Sequence, residues 1–480
     1  MLAQRVRTPT ALRHWLPCTC TPRPPRAPPV SSRALSSSTP RPRLALPPRP
    51  QPPSFRLYST RTRSQEPLVV NGTSYPRDHY SNATPTILSK LPRQLHLQPS
   101  HPIGILRTLI EDHFATFHHQ NSLSPIVTVK QNFDDLGFPP DHPGRSLSDT
   151  YYLNQEHMLR THTSAHEVEL FRAGLDKFLL TADVYRRDEI DRSHYPVFHQ
   201  MEGCAVGDPA QGWIEQLARE NAVMRTQLDR ANIVVDDPTR AITPSNPIQD
   251  EHDPETALVI AEHLKNTLNG LVLKLFGGRG SNTGEPLQVR WIEATFPWTA
   301  PSYEVEVLFN GKWLEILGCG VVRQAALERS GVGHKQGWAF GLGLERIAMV
   351  LFDVPDIRLF WSEDTRFASQ FKQGEISTFK PYSKYPECYK DVAFWLPEKK
   401  DGELGWHEND LMEVVRDVAG DLVEGVQLID EFTHPKTGRQ SRCYRLNYRS
   451  MDRSLSNKEV NALQNQVEQR LVDEMGVEVR

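Results

Sequence analysis

The stretch that decides the fold is L-L-T-A-D-V-Y-R-R-D-E-I-D-R-S-H-Y-P-V-F-H-Q-M-E, Leu179 to Glu202, which predicts two strands joined by a polar loop. A period of two places Phe198, Gln200 and Glu202 on one face of the second strand, and Arg186 lies near the end of the first. A guanidinium captures phosphate, an aromatic ring stacks on a purine, and a carboxylate with an amide holds an ammonium group. One surface would therefore accept a nucleotide beside a small amine. An ordinary amphipathic hairpin with a solvated polar face explains the pattern about equally well.

The length and composition indicate a soluble protein with several folded units. The chain has 480 residues, more than one hydrophobic core usually covers, so two or three units are expected. Its 38% hydrophobic and 24% charged residues are typical of soluble proteins. No run of about eighteen apolar residues occurs, and we predict no membrane span. The cysteines show no paired spacing in the folded part, so neither a zinc site nor a disulfide framework is indicated.

Residues 1–65 differ in composition from the rest of the chain. They contain twelve Arg and no Asp, Glu or Lys. An acid-poor segment rich in Arg, Ser and Pro is typical of an organelle transit peptide, and we predict that it is removed or disordered; the alternative is a basic tail that binds nucleic acid. Without this segment the formal charge of −4 becomes −16, so a nucleic-acid partner would have to meet local basic patches.

Helices are predicted ahead of the hairpin. Apolar spacing predicts a helix over 102–119. Further on, Ser164 and Glu167 have the spacing of a capping box at a second helix start. His162 and Ser164 also lie just before the hairpin, where polar groups could reach its ligand face.

Residues 208–290 are predicted to form an insertion without chemistry. The pattern predicts helices over 213–232 and 254–276, with a Pro- and Asp-rich loop over 234–253 between them. The run G-G-R-G at 277–280 lacks the Lys-Ser/Thr of a phosphate loop, and we expect it to end the second helix.

Sheet structure is predicted to resume at residue 287. An alternating segment over 303–309 leads to Asn310-Gly311, a strong hairpin signal, and a strand returns over 312–317. Glu315 on the return strand is either a solvated acid or a ligand to a cation.

A glycine-containing block, G-W-A-F-G-L-G-L-E-R, follows at 337–346 and predicts a strand and then a helix. Gly341 and Gly343 permit close approach of a ligand at the junction. Arg346, in the first turns of the helix, would be directed back toward the sheet. Taken alone, a G-x-G pair is weak evidence, and such an arginine is most often a surface residue.

The C-terminal part, after a linker over 362–383, predicts a compact βαββαβ unit over 384–480. Asn409 is expected to cap its first helix, and Ser456 with Glu459 forms a capping box before its second. This order is the split βαβ, or ferredoxin-like, arrangement. Its strands are predicted over 390–396, 427–432, 443–448 and 477–480.

The hairpin with Tyr185-Arg186 and Phe198, followed much later by G-L-G-L-E-R, resembles motifs 2 and 3 of class II aminoacyl-tRNA synthetases. F-P-W-T-A-P-S at 296–302 and T-H-T-S at 161–164 narrow the resemblance to the phenylalanyl-tRNA synthetase family in its single-chain mitochondrial form. The resemblance runs from about residue 98 to the end. It implies an α+β fold with three parts: an N-terminal extension over 66–97, a class II antiparallel-sheet catalytic domain over 98–361, and a ferredoxin-like anticodon-binding domain over 384–480.

The resemblance implies a role for each motif residue. Arg186 would hold the ATP α-phosphate, Phe198 and Arg346 would sandwich the adenine, and Glu315 would bind Mg²⁺ near the phosphates. These two arginines would carry the charge stabilisation of the reaction. The implied phenylalanine site consists of His162, Ser164, Gln200, Glu202, Phe296, Trp298, Ala339, Phe340 and Gly341. The implied tRNA phosphate contacts are Arg439, Arg442, Arg445, Arg449 and Arg453.

The chain departs from the family pattern at four positions. Trp298 replaces a phenylalanine, which makes pocket volume and rejection of tyrosine harder to predict. Asp188 is one methylene shorter than the frequent Glu, and Glu167 stands where Gln is common. Ala300 stands where bacterial relatives carry a metal-binding Glu, so that metal site is expected to be absent.

The activity implied by the resemblance is attachment of L-phenylalanine to tRNA(Phe) through a phenylalanyl-adenylate. The reaction would use ATP and Mg²⁺ and would take place in the mitochondrial matrix, on a monomer that needs no membrane. Two other functions fit parts of the pattern: a catalytically silent RNA-binding paralogue, and an adenylate-forming ligase with another acceptor. The intact Arg186, Glu315 and Arg346 argue against the first, and the C-terminal unit argues against the second.

Overall fold

A computed structural model of the chain describes residues 66–240, 242–277, 284–381, 385–397 and 406–480. The predicted transit peptide, 1–65, and most of the G-G-R-G run lie outside the described residues. The strands are β1 Leu68–Val70, β2 Thr73–Tyr75, β3 His118–Gln120, β4 Ile126–Thr128, β5 His157–Leu159, β6 Lys177–Tyr185, β7 Val197–Gly207, β8 Ile233–Asp236, β9 Leu287–Phe296, β10 Thr299–Phe309, β11 Lys312–Val322, β12 Gln336–Gly343, β13 Cys388–Trp395, β14 Val423–Thr433, β15 Gln440–Tyr448 and β16 Glu478–Val479. The α-helices are α1 Pro85–Leu88, α2 Pro102–Glu111, α3 Glu167–Arg172, α4 Trp213–Asp229, α5 Pro254–Phe276, α6 Gln324–Arg329, α7 Leu344–Leu351, α8 Thr365–Ala368, α9 Glu408–Ala419 and α10 Asn457–Met475. Within these described ranges no helix is long and apolar enough to cross a membrane.

An eight-stranded sheet forms the frame of the larger unit. Its strand order is β3-β6-β7-β12-β11-β10-β9-β8. The strands from β6 to β9 in that order pair antiparallel, whereas the edge strands β3 and β8 pair parallel with β6 and β9. The predicted α+β fold on an antiparallel sheet is confirmed.

Helix α5 packs in the core and is not part of an insertion, which corrects the sequence-based prediction. Asp253 caps it by accepting a hydrogen bond from the Thr256 N–H, and Pro254 at its first position suits a helix start. Leu264, Leu268 and other apolar side chains of α5 are fully buried in the main core. The predicted loop over 234–253 is also partly wrong, because β8 extends the sheet there.

The helix predicted over 102–119 ends at Glu111. Phe114 keeps the apolar spacing and is buried, but it lies on a turn after the helix, and the chain then enters β3. Both flanks of the catalytic segment also pack on its core. Leu95 belongs to this core in the predicted extension, and so does Phe371 in the predicted linker.

The C-terminal unit has the predicted βαββαβ order. Its sheet runs β14-β15-β13-β16, with all neighbours antiparallel, and a separate hydrophobic core joins the sheet to α9 and α10. Ser456 caps α10 as predicted, by accepting from the Glu459 N–H at 3.3 Å. The predicted cap of α9 is wrong: the His407 side chain caps it, and Asn409 donates to Ser148 O instead.

The loop between β6 and β7 contacts this C-terminal unit. Ile190 is buried in the C-terminal core, and its carbonyl accepts from the Val426 N–H. Arg416 donates to Asp188 O from α9 at 2.6 Å. The hairpin that carries the candidate site is therefore anchored at its tip by the other unit.

Candidate active site

The two strands of the hairpin form the centre of the sheet as the sequence predicts. Phe198, Gln200 and Glu202 lie at alternate positions of β7, and residues paired across antiparallel strands share a face. Pairing continues this face sideways: Glu202 is opposite Gly341, and Gly341 is opposite Gly318. The candidate site therefore has a floor of two glycines next to a carboxylate.

Glu202 lies at one end of this floor and is 2% exposed. One of its oxygens accepts from the Thr163 hydroxyl at 2.8 Å and from the Ser164 hydroxyl at 2.7 Å. The carbonyl of the Gln200 side chain accepts from the Thr163 N–H at 3.3 Å. A buried carboxylate surrounded by hydroxyl and amide groups is suited to an ammonium ion.

Glu167 lies against Glu202 and does not form the predicted capping box. The segment before α3 is a 3₁₀ turn, and the Ser164 hydroxyl is bonded to Glu202 instead of capping a helix. Burial, together with the neighbouring Glu202 carboxylate, raises the pKa of Glu167 well above its ordinary value. The protonated form of Glu167 is therefore favoured beside the Glu202 carboxylate.

His162 belongs to an aromatic stack and not to the carboxylate cluster. Its ring lies 5.7 Å from that of Phe138 and 5.9 Å from that of Trp298, centroid to centroid. Burial, with the positive charge of Arg186 nearby, lowers the pKa of His162 to about 3. His162 is therefore neutral, and its ring forms a flat wall next to Trp298.

Phe296 and Trp298 close the apolar side of the site. Their rings stack at 6.0 Å, and the Phe296 ring lies so close over Gly318 that a Cβ there would be 2.6 Å from it. A Cβ at Gly341, in contrast, would meet no atom within 4 Å. The face therefore has open space above Gly341, whereas the Phe296 ring covers Gly318 on the neighbouring strand.

The strand β12 divides its predicted site residues between two faces. Ala339 is opposite Cys204 and Gly341 is opposite Glu202, so both lie on the same face of the sheet as Glu202. Phe340 points to the other face, where it stacks on Phe114 at 5.4 Å and is 2% exposed. The structure thus does not bring Phe340 into the site, because a strand alternates its side chains.

Arg186 and Phe198 lie together at the other end of the face. The guanidinium carbon of Arg186 lies 5.4 Å from the centroid of the Phe198 ring, and its Nε donates to Thr161 O at 2.8 Å. Burial lowers the pKa of Arg186 to about 10, so it remains a cation at neutral pH. This end joins a cation to an aromatic ring, as the nucleotide hypothesis requires.

Arg346 and Glu315 also converge. Gly343 at the end of β12 is opposite Gln200, which places the first turn of α7 beside β7. From that turn, Arg346 Nη1 lies 3.9 Å from Glu315 Oε2. The two residues, predicted from separate motifs, therefore share one region of the sheet.

Glu304 is a candidate site residue that the motif reasoning missed. It lies on β10, where burial and the carboxylates of Glu315 and Glu306 raise its pKa to about 7. The register places these acids on one face, since Glu304 and Glu306 alternate on β10 and Glu306 is opposite Glu315. The signal was present in the sequence, since Glu304 alternates with the apolar residues of the same strand.

Glu345 was missed as well. It follows the last glycine of the G-L-G-L-E-R block, is 2% exposed, and accepts from the His199 N–H at 2.7 Å and from the His199 ring at 2.6 Å. These bonds fasten the first turn of α7 to β7. Glu345 therefore fixes the position of Arg346 relative to Phe198.

The arginines predicted to contact tRNA are all engaged in ion pairs within the described chain. Arg445 is opposite Asp391 and bonds it at 2.7 and 2.8 Å, and Arg449 bonds Glu387 and Glu424. The remaining pairs are Arg439–Glu478, Arg442–Glu431 and Arg453–Glu459. Contact of these five residues with tRNA stays a prediction.

Two family models match the chain. Residues 88–219 and 257–371 match the tRNA synthetases class II core domain (F), and residues 383–480 match the ferredoxin-fold anticodon binding domain. The core match omits the residues between 219 and 257 and includes nearly all of α5, which agrees with the packing of that helix. By its larger unit the chain is a class II aminoacyl-tRNA synthetase.

Relatives from distant organisms narrow the class. The chain is 50% identical over 459 residues to phenylalanine–tRNA ligase, mitochondrial, of Saccharomyces cerevisiae, with 89% of this chain and 97% of that protein covered. It is 44% identical over 426 residues to phenylalanine–tRNA ligase, mitochondrial, of Mus musculus, with 86% and 89% covered. The chain belongs to the family of mitochondrial phenylalanine–tRNA ligases.

Proposed function

We propose that this chain activates L-phenylalanine with ATP and transfers it to tRNA(Phe). One observation carries this proposal: a single face of the sheet holds a buried carboxylate, an open space and a guanidinium group. These are the Glu202, Gly341 and Arg186 regions. An amino acid and a nucleotide bound there would lie side by side, with their reacting groups toward each other.

The proposed first step joins the amino acid to AMP. The phenylalanine carboxylate attacks the α-phosphorus, a P–O bond forms, and the bond to pyrophosphate breaks. Arg186 would hold the α-phosphate, where negative charge builds up in the transition state. In the second step, a terminal ribose hydroxyl of the tRNA attacks the acyl carbon and releases AMP. No covalent enzyme intermediate is needed.

Recognition of phenylalanine would begin at its ammonium group. Glu202 would hold it, with Gln200 and the Ser164 hydroxyl nearby, while the raised pKa of Glu167 favours its uncharged form. The ring would enter the space over Gly341 and meet Phe296 at its side.

The site also fits Mg²⁺ by the chemistry of its donors. Glu304 and Glu315 present carboxylate oxygens on the same face, and Mg²⁺ is usually bound by one or two carboxylates together with substrate phosphates. When bound, the ion would neutralise charge on the phosphates. The two carboxylates would hold it, and Arg346 beside Glu315 would keep the nucleotide oriented.

We also propose domain boundaries, a cellular compartment and an oligomeric state for this enzyme. Residues 66–381 would form the catalytic unit and residues 385–480 the tRNA-recognition unit, since each packs around its own core. The enzyme would work in the mitochondrial matrix, because its relatives are named mitochondrial. It would act as a monomer, since one chain supplies every part of the site.

Phenylalanine-dependent exchange of pyrophosphate into ATP tests this function. The chain starting near residue 66 should catalyse exchange with Mg²⁺ in the absence of tRNA, and should then charge tRNA(Phe). Arg346→Ala should reduce exchange strongly. Arg225→Ala, an exposed arginine paired with Glu262 on the helical surface, is the matched control and should leave exchange unchanged.

The outcomes separate the candidate functions. Absence of exchange with phenylalanine, ATP and Mg²⁺ would reject the proposal and favour a silent RNA-binding protein. Exchange without charging of tRNA(Phe) would indicate a ligase with another acceptor. Comparison of phenylalanine with tyrosine in the same assay measures the effect of Trp298 on selectivity.

A further inference from the structure

Residues 243–252 lie between β8 and α5, in a loop that the site described above does not include. The match to the class II core domain omits this loop, since it stops at residue 219 and resumes at residue 257. Side chains of the loop nevertheless bond to the segment 296–302, which carries the aromatic wall of the proposed phenylalanine site. A part of the chain outside the core match therefore contacts the wall of the site.

The wall segment contains an irregular stretch of strand. β10 pairs with both β9 and β11, and both registers shift between Thr299 and Ser302. The shift leaves Ala300 and Pro301 between the paired residues, close to β11, where a Cβ at Gly320 would be 2.5 Å from Pro301 O. Buried backbone groups need hydrogen-bond partners, and at a shift of register these come partly from outside the neighbouring strands.

Asn246 supplies two of these partners. Its Nδ2 donates to Ser302 O at 2.8 Å, and its Oδ1 accepts from the Ser302 N–H at 2.8 Å. Asn246 is 7% exposed and Ser302 is 2% exposed, so water has little access to replace these bonds. A buried backbone group that loses its partner bears the full cost of its desolvation. The Asn246 amide therefore fixes the backbone at the residue where the register shifts.

Gln249 joins the same segment to two other elements. Its Nε2 donates to Ala300 O at 2.8 Å and to Val322 O at 3.1 Å, and its Oε1 accepts from the Gln324 N–H at 2.8 Å. An amide is suited to this position because one planar group both donates and accepts hydrogen bonds. One side chain therefore links the wall segment to the end of β11 and to the start of α6.

Other contacts hold the two ends of the loop. Thr243 and Ser245 donate their hydroxyl groups to Glu293 on β9, at 2.7 and 2.8 Å. At the other end, Nε2 of His252 lies 3.0 Å from Gln324 Oε1, and His252 is buried. The loop is thus fixed on β9 and on α6, and the two amides lie between these anchors.

The backbone held in this way carries the aromatic wall. Phe296 ends β9 opposite Thr299, and the Trp298 ring lies 6.0 Å from the Phe296 ring. Trp298 O accepts from the Arg323 N–H at 2.9 Å, and Arg323 lies between the two residues of β11 and α6 that Gln249 bonds. A shift of this backbone would therefore move the rings relative to the space above Gly341.

We propose that residues 243–252 form a clamp on the wall of the amino-acid site, and that Asn246 and Gln249 are positioning residues for phenylalanine. This inference rests on the proposed function and gives a part of the chain outside the core match a role in selectivity. The amides act through the backbone that carries Phe296 and Trp298. A wall held in one position favours a ring of one size, whereas a relaxed wall would bind phenylalanine less tightly and would discriminate less against the larger ring of tyrosine.

The test uses the full chain with two substitutions that keep the shape of each side chain. Asn246→Asp and Gln249→Glu each replace the nitrogen of the amide by an oxygen, so the bonds to Ser302 O, Ala300 O and Val322 O are lost. In pyrophosphate exchange each variant should raise the KM for phenylalanine about tenfold, which corresponds to about 1.4 kcal/mol. The KM for ATP should stay near that of the wild type, and the selectivity for phenylalanine over tyrosine should fall.

Controls separate positioning from stability. Asn232→Asp makes the same change in the same unmatched stretch, where an exposed amide donates to Gly284 O and Glu285 O before the start of β9, and it should leave both KM values unchanged. Gln249→Met removes the amide without adding a charge, and should raise the KM for phenylalanine as Gln249→Glu does even if the acid variant folds poorly. Amide hydrogen exchange should become faster in residues 296–302 of the clamp variants and stay unchanged in β6 and β7.

Two results would overturn the clamp. A wild-type KM for phenylalanine and wild-type selectivity in Asn246→Asp and Gln249→Glu would show that the loop only supports the fold. Equal rises in the KM for phenylalanine and for ATP would show a general loosening of the sheet. A wild-type chain without exchange activity would reject the proposed function, and calorimetric binding of phenylalanine would then decide the clamp: weaker binding in the variants retains it, and unchanged binding rejects it.

Discussion

The space above Gly341 allows the amino-acid site to be tested with a single methyl group. A Cβ at this position would meet no atom within 4 Å, so Gly341→Ala should fold without a clash. Alanine in a strand interior should stabilise the fold by about 0.5–1 kcal/mol relative to glycine. The methyl group would occupy the space assigned to the substrate ring. Overpacking of this kind costs about 1–3 kcal/mol, which predicts a rise of about 5- to 150-fold in the KM for phenylalanine.

The assay is pyrophosphate exchange at varied phenylalanine, accompanied by thermal unfolding. The KM for phenylalanine should rise while the Tm stays equal or increases. Gly343→Ala is the paired variant, since its Cβ also meets no atom within 4 Å but it lies nearer the nucleotide end. That variant should affect the KM for ATP more than the KM for phenylalanine. An unchanged KM for phenylalanine in Gly341→Ala would refute the placement of the ring.

Three further predictions concern acids of the larger unit. Because burial and neighbouring acids raise the pKa of Glu304 to about 7, pyrophosphate exchange at limiting Mg²⁺ should increase as the pH rises through about 7. Glu304→Gln should abolish this increase and require more Mg²⁺. An unaltered pH profile in this variant would contradict the proposed role of Glu304 in binding Mg²⁺. The pKa of Glu167 is raised in the folded state, so this state holds a proton that the unfolded state releases. The free energy of unfolding should therefore fall as the pH rises above the ordinary carboxyl pKa. Glu167→Gln avoids this loss, and its Tm should exceed that of the wild type by a margin that grows with pH. Asp183 is paired with buried Arg160, and this positive charge helps to hold the pKa of Asp183 below its ordinary value. The contribution of the pair to the free energy of unfolding should be present above about pH 4 and lost as the pH falls. Asp183→Ala should lower the free energy of unfolding measured in urea by about 3–5 kcal/mol.

Local patterns predicted much of the frame. The period of two in β7 correctly placed Phe198, Gln200 and Glu202 on one face, because strand geometry is set by the backbone itself. The βαββαβ order of the C-terminal unit was also readable, since each element there has a short and regular apolar pattern. The resemblance to motifs then connected Arg186 with Arg346, which no local pattern relates.

The errors came from contacts between distant parts of the chain. The Ser164–Glu167 spacing fits a helix cap, but the hydroxyl is closer to Glu202, which a neighbouring strand supplies. The sequence of helix α5 does not show which strands cover it, and its Lys265 is buried and paired with Asp237. Glu304 was overlooked because its pKa depends on acids across the sheet.

The anchoring of the hairpin tip has a consequence for dissection of the enzyme. Ile190, which belongs to the catalytic sequence, is buried among side chains of the C-terminal core, and Arg416 of that core bonds the same loop. Expression of the catalytic half alone would expose the apolar Ile190 side chain, and expression of the C-terminal half alone would expose the core residues that surround it. Either cut would also remove the contacts that hold the loop next to Arg186. The boundary between the two family models, at residues 371–383, is therefore unsuitable for separating this protein into independent domains.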